Sequence, residues 1–129
     1  MVLIDTSIWI KLLAKGNRLS ISQEKLALIA TCPPVIQEVL QGVRDESQHQ
    51  RLKYGMLALP RYGEPMDIEY FLSASEIFRL GKRKGFSIRS GVDCLIAAIA
   101  VKHQLSIWHH DRDFDAIAKF TSLKVANGI

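Results

Sequence analysis

The sequence predicts an α/β fold of three layers, α/β/α, around a short central parallel sheet. Three observations predict it. Short apolar runs alternate along the chain with stretches of helical periodicity. The first run, Val2-Leu3-Ile4, has the brevity and β-branching of a buried strand. Strand, helix and strand then follow one another in the order that builds a parallel sheet with helices on both faces.

The elements follow in order. After Ile4, the side chains of Asp5, Thr6 and Ser7 are caps for a helix over Ile8–Ala14, which Gly16-Asn17 ends. Ser22 or Ser20 caps a short helix through Glu24–Leu28, and Ile29-Ala30-Thr31-Cys32 reads as a second strand. Pro33-Pro34 opens a helix through Gly42, because proline is tolerated in a first turn. Val35/Val39 and Ile36/Leu40 form its apolar stripe, with Glu38 at the edge, where it reaches inward. Asp45–Leu59 is a helix closed by Pro60, and Arg61–Pro65 a loop. Asp67–Lys84 is a long amphipathic helix whose apolar face is Phe71, Ala74, Ile77 and Phe78, with Gly85 as its stop. Ser90-Gly91-Val92-Asp93 is a capping-box pattern. The helix it opens, Asp93–His103, is apolar on most sides and therefore central. Leu105–Trp108 is a strand, Asp113–Lys119 a helix and Leu123–Val125 the last strand.

Composition sets the class. The 129 residues are 48% hydrophobic and 23% charged, which excludes disorder and fits one domain over 1–129. No basic region precedes the first apolar stretch, and Asp5 interrupts it, so no signal peptide is expected. The longest apolar run, Cys94–Val101, falls short of the roughly 18–20 residues of a membrane span. Cys32 and Cys94 form neither a CxxC pair nor a zinc spacing and read as buried reduced thiols. A soluble, cytoplasmic protein is expected.

The net charge of +4 is local. Arg79, Lys82, Arg83, Lys84 and Arg89 occupy a stretch without an acid, and without them the acidic residues outnumber the basic ones. Such a strip suits a polyanion. It also suits a helix C-terminus, whose dipole favours cations.

Four acids stand out by placement: Asp5 after the first strand, Glu38 beside the stripe of the Pro-initiated helix, Asp93 at the start of the central helix, and Asp111 after the late strand, with Asp113 two residues on. Ligands of parallel sheets bind beyond the strand carboxyl ends, where Asp5 and Asp111 fall. Each acid also has a plain role open to it as a cap, turn or solvated helix residue. Gathered together, they would repel and raise one another's pKa, and a divalent ion would remove that cost. All-oxygen ligands favour Mg²⁺ or Mn²⁺ over zinc. His109 and His110 have no second pair at zinc spacing. Thr6 and Ser7 could bond a phosphate, cap the first helix, or both.

Four blocks carry a family resemblance. They are Val2-Leu3-Ile4-Asp5-Thr6-Ser7-Ile8-Trp9-Ile10, the segment from Cys32 to Gly42, Asp93-Cys94-Leu95-Ile96-Ala97-Ala98-Ile99-Ala100, and His110-Asp111-Arg112-Asp113-Phe114. In this order and at this length the chain resembles a PIN domain, specifically a VapC-type toxin ribonuclease. The resemblance implies a metal-dependent endoribonuclease. Asp5, Glu38, Asp93 and Asp111 match the acids of its Mg²⁺/Mn²⁺ site, and Thr6 or Ser7 matches a supporting hydroxyl. It also implies a homodimer and a VapB-type antitoxin whose C-terminal segment covers the cleft. One departure is His109, where the family often has threonine. Asp111, nearer the strand end, is favoured over Asp113 as fourth ligand, leaving Asp113 as a support or cap.

The expected reaction is in-line attack of water on the phosphorus, leaving a 5′-phosphate and a 3′-hydroxyl, with the five cations holding the RNA backbone. A phospho-receiver needs an acid in mid-chain, and Arg51–Pro60 has none. A haloacid-dehalogenase-like phosphatase needs Asp-x-Asp after the first strand, and here that pattern follows the late one. The alternative from another class is a non-catalytic RNA-binding or scaffold module of the same fold.

Overall fold

The computed structural model describes residues 1–14 and 21–129. Its elements are β1 (Val2–Ile4), α1 (Thr6–Leu13), α2 (Gln23–Leu26), β2 (Ile29–Ala30), α3 (Pro33–Gln41), α4 (Glu46–Leu57), α5 (Ile68–Arg83), α6 (Gly91–Lys102), β3 (Ser106–Trp108), α7 (Arg112–Ala118) and β4 (Lys124–Ala126). The strands form one four-stranded sheet in the order β2-β1-β3-β4, and every pairing is parallel. The α/β expectation therefore holds.

Local chemistry accounts for most boundaries. Asp5, Ser22, Asp45, Asp67 and Ser90 each cap a helix by accepting a backbone N–H in its first turn. Because Asp5 is the cap, α1 starts at Thr6, two residues before the expected start. The expected stop at Gly16-Asn17 and the alternative cap Ser20 lie outside the described residues. At the end of α5 the N–H groups of Gly85 and Phe86 return to the carbonyls of Lys82 and Gly81. Gly85 takes φ +85°, the left-handed stop expected of it.

The second strand is shorter than its apolar run. Thr31 leaves the ladder to bridge Arg61, and Cys32 becomes the N-cap of α3. The last strand sits one residue later than expected, over Lys124–Ala126. As an edge strand it takes its register from pairing with β3, while Leu123 packs inward just before it.

The core lies between the sheet and its helices. Leu3, Ile4, Ile29 and Ile107 from the strands pack with Val35, Ile96, Ile99, Phe114 and Ile117 from the helices. α6 is central, with Cys94 and the whole run Ile96–Ala100 buried. The face expected for α5 needs correction. Tyr70, Ala74 and Gly81 are its buried residues, whereas Phe71 and Phe78 are exposed. A Cβ at Gly81 would sit 2.6 Å from Ile88 Cδ1 and 2.9 Å from Phe120 Cζ, so those two side chains would have to shift to admit one. Cys32 and Cys94 are buried thiols whose pKa burial pushes up to about 12 and about 11. No described helix is long and apolar enough to cross a membrane.

Candidate active site

The sheet order brings the ends of β1 and β3 together. Ile4 pairs with Trp108, and the Asp5 N–H donates to the Trp108 carbonyl at 3.0 Å. These neighbouring strands leave to opposite sides, so the segments after them face a common crevice. Asp5 and the His109–Asp113 turn emerge there. The first turn of α6 adds Asp93, and α3 adds Glu38.

Asp93, Asp111 and Asp113 each offer a carboxylate oxygen within 4.8 Å of the others. Asp5 and Glu38 stand outside that set, yet both raise the pKa of Asp93 through space. Asp93, Asp111 and Asp113 thus form the cluster, with Asp5 and Glu38 near enough to act on it electrostatically.

Each carboxylate is held by a specific contact. Asp5 Oδ2 accepts the Ser7 N–H at 3.1 Å and the Ser7 hydroxyl at 2.6 Å. Glu38 Oε1 accepts the Thr6 hydroxyl at 3.0 Å. Asp111 Oδ1 caps α7 through the Asp113 N–H at 2.9 Å. Asp113, only 2% exposed, accepts the N–H groups of Arg89 and Ser90 at 3.1 and 3.2 Å. It is both a member of the cluster and a clasp between α7 and the start of α6.

That clasp changes the capping box. Ser90 Oγ accepts the Asp93 N–H at 3.3 Å, but Asp113 takes the Ser90 N–H that Asp93 would have bonded. The Asp93 carboxylate is left to the site, and its buried Oδ2 has no hydrogen-bond partner. Burial, then repulsion by Asp111, Asp5, Asp113 and Glu38, pushes its pKa up to about 8. Glu38 is raised too. Burial is the main cause, the Thr6 hydrogen bond opposes it, and Asp5 and Asp111 add to it.

An unpartnered buried carboxylate oxygen among four other acids fits a hard divalent cation. Arg89 stands close by, with Nη2 3.8 Å from Asp111 Oδ1 and Nε 3.7 Å from Asp113 Oδ1. Its side chain is 58% exposed, so it screens the cluster only from the rim. Arg79, Lys82, Arg83 and Lys84 stand apart, exposed at the end of α5. Arg89 thus differs from the strip it was grouped with. Sequence spacing alone does not separate it from the other four. His109 Nδ1 accepts the Asp111 N–H at 3.0 Å, which takes that nitrogen out of any zinc site.

Comparisons with known proteins give the chain's family and fold. A family model described as PIN domain matches residues 2–120. The chain is 38% identical to "Ribonuclease VapC11" of Mycobacterium tuberculosis over 133 aligned positions, covering 98% of each. VapBC2 from Rickettsia felis, solved with a DNA fragment from its promoter, superposes with a TM-score of 0.70 at 18% identity, covering 98% of each chain. VapBC-5 from M. tuberculosis, described as a member of the VapBC family of toxin-antitoxin systems, gives 0.64 at 18% identity, covering 95% of this chain and 94% of that one.

Proposed function

This chain belongs to the PIN domain family, and from that premise we propose that it is a metal-dependent endoribonuclease, the toxin of a VapBC-type pair. The observation that carries the proposal is the cluster of Asp93, Asp111 and Asp113 with its unpartnered Asp93 oxygen, to which Asp5 and Glu38 lie near enough to act through space.

Asp5, Asp93 and Asp111 would hold Mg²⁺ or Mn²⁺, with Glu38 as a further ligand and Asp113 supporting from its clasp. When bound, such an ion supplies Lewis-acid polarisation of the phosphoryl group and charge stabilisation in the transition state. The chain's own residues do the rest. Thr6 occupies Glu38 Oε1, which leaves Oε2 free to take a proton from an attacking water. The raised pKa of Glu38 brings it closer to the range useful for that transfer. Ser7 fixes Asp5, and the Asp113 clasp fixes the entry to α6. Arg79, Lys82, Arg83 and Lys84 attract the RNA backbone, and Arg89 meets the phosphate nearest the acids. Attack in line leaves a 5′-phosphate and a 3′-hydroxyl.

Two surfaces fit the partners. A groove of about 410 Å³ lined by Ile10, Leu13, Val39 and Val43 opens beside Glu38 and suits an antitoxin segment. The exposed stripe of Ile68, Phe71, Leu72 and Phe78 on α5 suits a second copy of the chain. A single domain working in the cytoplasm fits the buried, reduced thiols.

The test is cleavage of purified tRNA and rRNA by antitoxin-free protein with Mg²⁺ or Mn²⁺ and with EDTA, beside the Asp5→Asn variant. Discrete cuts that need metal and vanish in the variant are expected. Equal results from the two proteins would point instead to the binding-module alternative.

A further inference from the structure

One buried imidazole is aimed at the backbone of the site. We propose that His109 is the positioning residue of Asp111: by holding the Asp111 N–H it sets the direction of that carboxylate. The inference rests on reading the acidic cluster as the ion-holding site.

His109 follows the last residue of β3. Its side chain is 4% exposed and its ring lies 5.2 Å from that of Phe114. Nδ1 accepts the Asp111 N–H at 3.0 Å, which assigns the ring hydrogen to Nε2. Nε2 is buried and makes no hydrogen bond, although Asp115 Oδ1 lies 3.3 Å away. The hydrogen bond to Asp111 is therefore the one the ring makes. A buried donor without a partner costs stability, and an apolar side chain of similar size would avoid that cost. What the imidazole offers in return is the acceptor at Nδ1.

That acceptor sits in a series. Ser7 Oγ takes the His110 N–H at 3.0 Å, His109 Nδ1 takes that of Asp111, and Asp111 Oδ1 takes that of Asp113. Two successive contacts run from a side chain to the N–H two residues on, the closure seen in Asx turns. Together they hold Asp111 extended, at φ −142° and ψ 126°, with its carboxylate beside Asp93 and Asp113. Without the first, the peptide before Asp111 is free to rotate, and the carboxylate moves with it.

The experiment compares His109→Leu with His109→Asn in the full chain. Leucine keeps the bulk and loses the acceptor. Asparagine Oδ1 can accept the same N–H in an Asx turn. Three quantities are read: hydrogen exchange at the Asp111 amide, Mn²⁺ affinity by titration, and kcat against KM on RNA, with melting temperature as the fold control. The leucine variant should lose amide protection, bind Mn²⁺ about tenfold or more weakly, and lose kcat with KM little changed. Asparagine should restore protection and most of the affinity. Leucine and asparagine variants that match each other, whether both normal or both impaired, would overturn the positioning role. Wild-type protein that binds no Mn²⁺ would overturn the reading of the cluster, and the Asp111 role with it, whatever the amide shows.

Discussion

The Ser7 hydroxyl donates to Asp5 Oδ2 at 2.6 Å and accepts the His110 N–H from its other side. One side chain thus couples the first acid to the turn that carries Asp111. Ser7→Ala breaks both links, while the Ser7 N–H still bonds Asp5. The expected result is a kcat lowered about tenfold or more with the fold kept. Single-turnover cleavage and a melting curve check the two halves.

Asp93 gives the ion-free protein a pH dependence with a definite sign. Its pKa rises on folding from the ordinary 3.8 to about 8. Between those values the folded chain binds a proton that the unfolded chain does not. Stability is therefore full near pH 4 and falls as the pH rises toward 8. Glu38 acts in the same direction. Melts in EDTA at pH 5 and pH 8 should show the fall. Asp93→Asn should flatten it and abolish cleavage, because the Ser90 cap binds the backbone N–H and survives.

Asp113 separates stability from chemistry. Its carboxylate satisfies two N–H groups in a buried place. Asp113→Ala leaves both without a partner, at a cost of about 2–4 kcal/mol. Asp113→Asn keeps an oxygen that can accept both and should lose much less. Urea unfolding of the two variants measures the difference.

The basic end of α5 predicts a salt effect. If Lys82 and Arg83 each neutralise one phosphate, replacing both with alanine lowers the slope of log K against log salt by about 1.4 for single-stranded RNA. Anisotropy titrations on the inactive Asp5→Asn background would show this. A slope equal to that of the parent would remove these two residues from the RNA contact.

Self-association is open to a direct check. Leu72→Glu and Phe78→Glu put charge into the exposed stripe without touching the buried face of α5. Light scattering should then report half the parent mass. A parent that is already monomeric would reassign the stripe.

Much of this was legible because local chemistry decides it. Capping side chains announced most helix starts, and Gly85 announced the end of α5. The acids were legible as a set because each lies at an element end or beside an apolar stripe. Choices between local and distant partners were hidden. The Ser90 N–H had a nearby candidate in Asp93, and Asp113, 23 residues on, took it instead. α5 carries apolar residues on two faces, and periodicity marks stripes without saying which one meets the core. Tyr54, Met56 and Leu57 divide in the same way: Met56 is buried and the other two are exposed. The place of Arg89 beside Asp111 and Asp113 depends on the segment before α6 meeting the turn after β3, which no spacing encodes.

The strand order also has a bearing on synthesis. β1 is made first, yet one of its two neighbours, β3, comes near the end of the chain. The acids are drawn from position 5 to position 113, and the cluster needs the last of them. A ribosome that has released the chain only through α6 holds Asp5, Glu38 and Asp93 without Asp111, Asp113 or the strand that places them. A growing chain therefore lacks the full set of acids, and the strand that places the last two, until its final segments emerge.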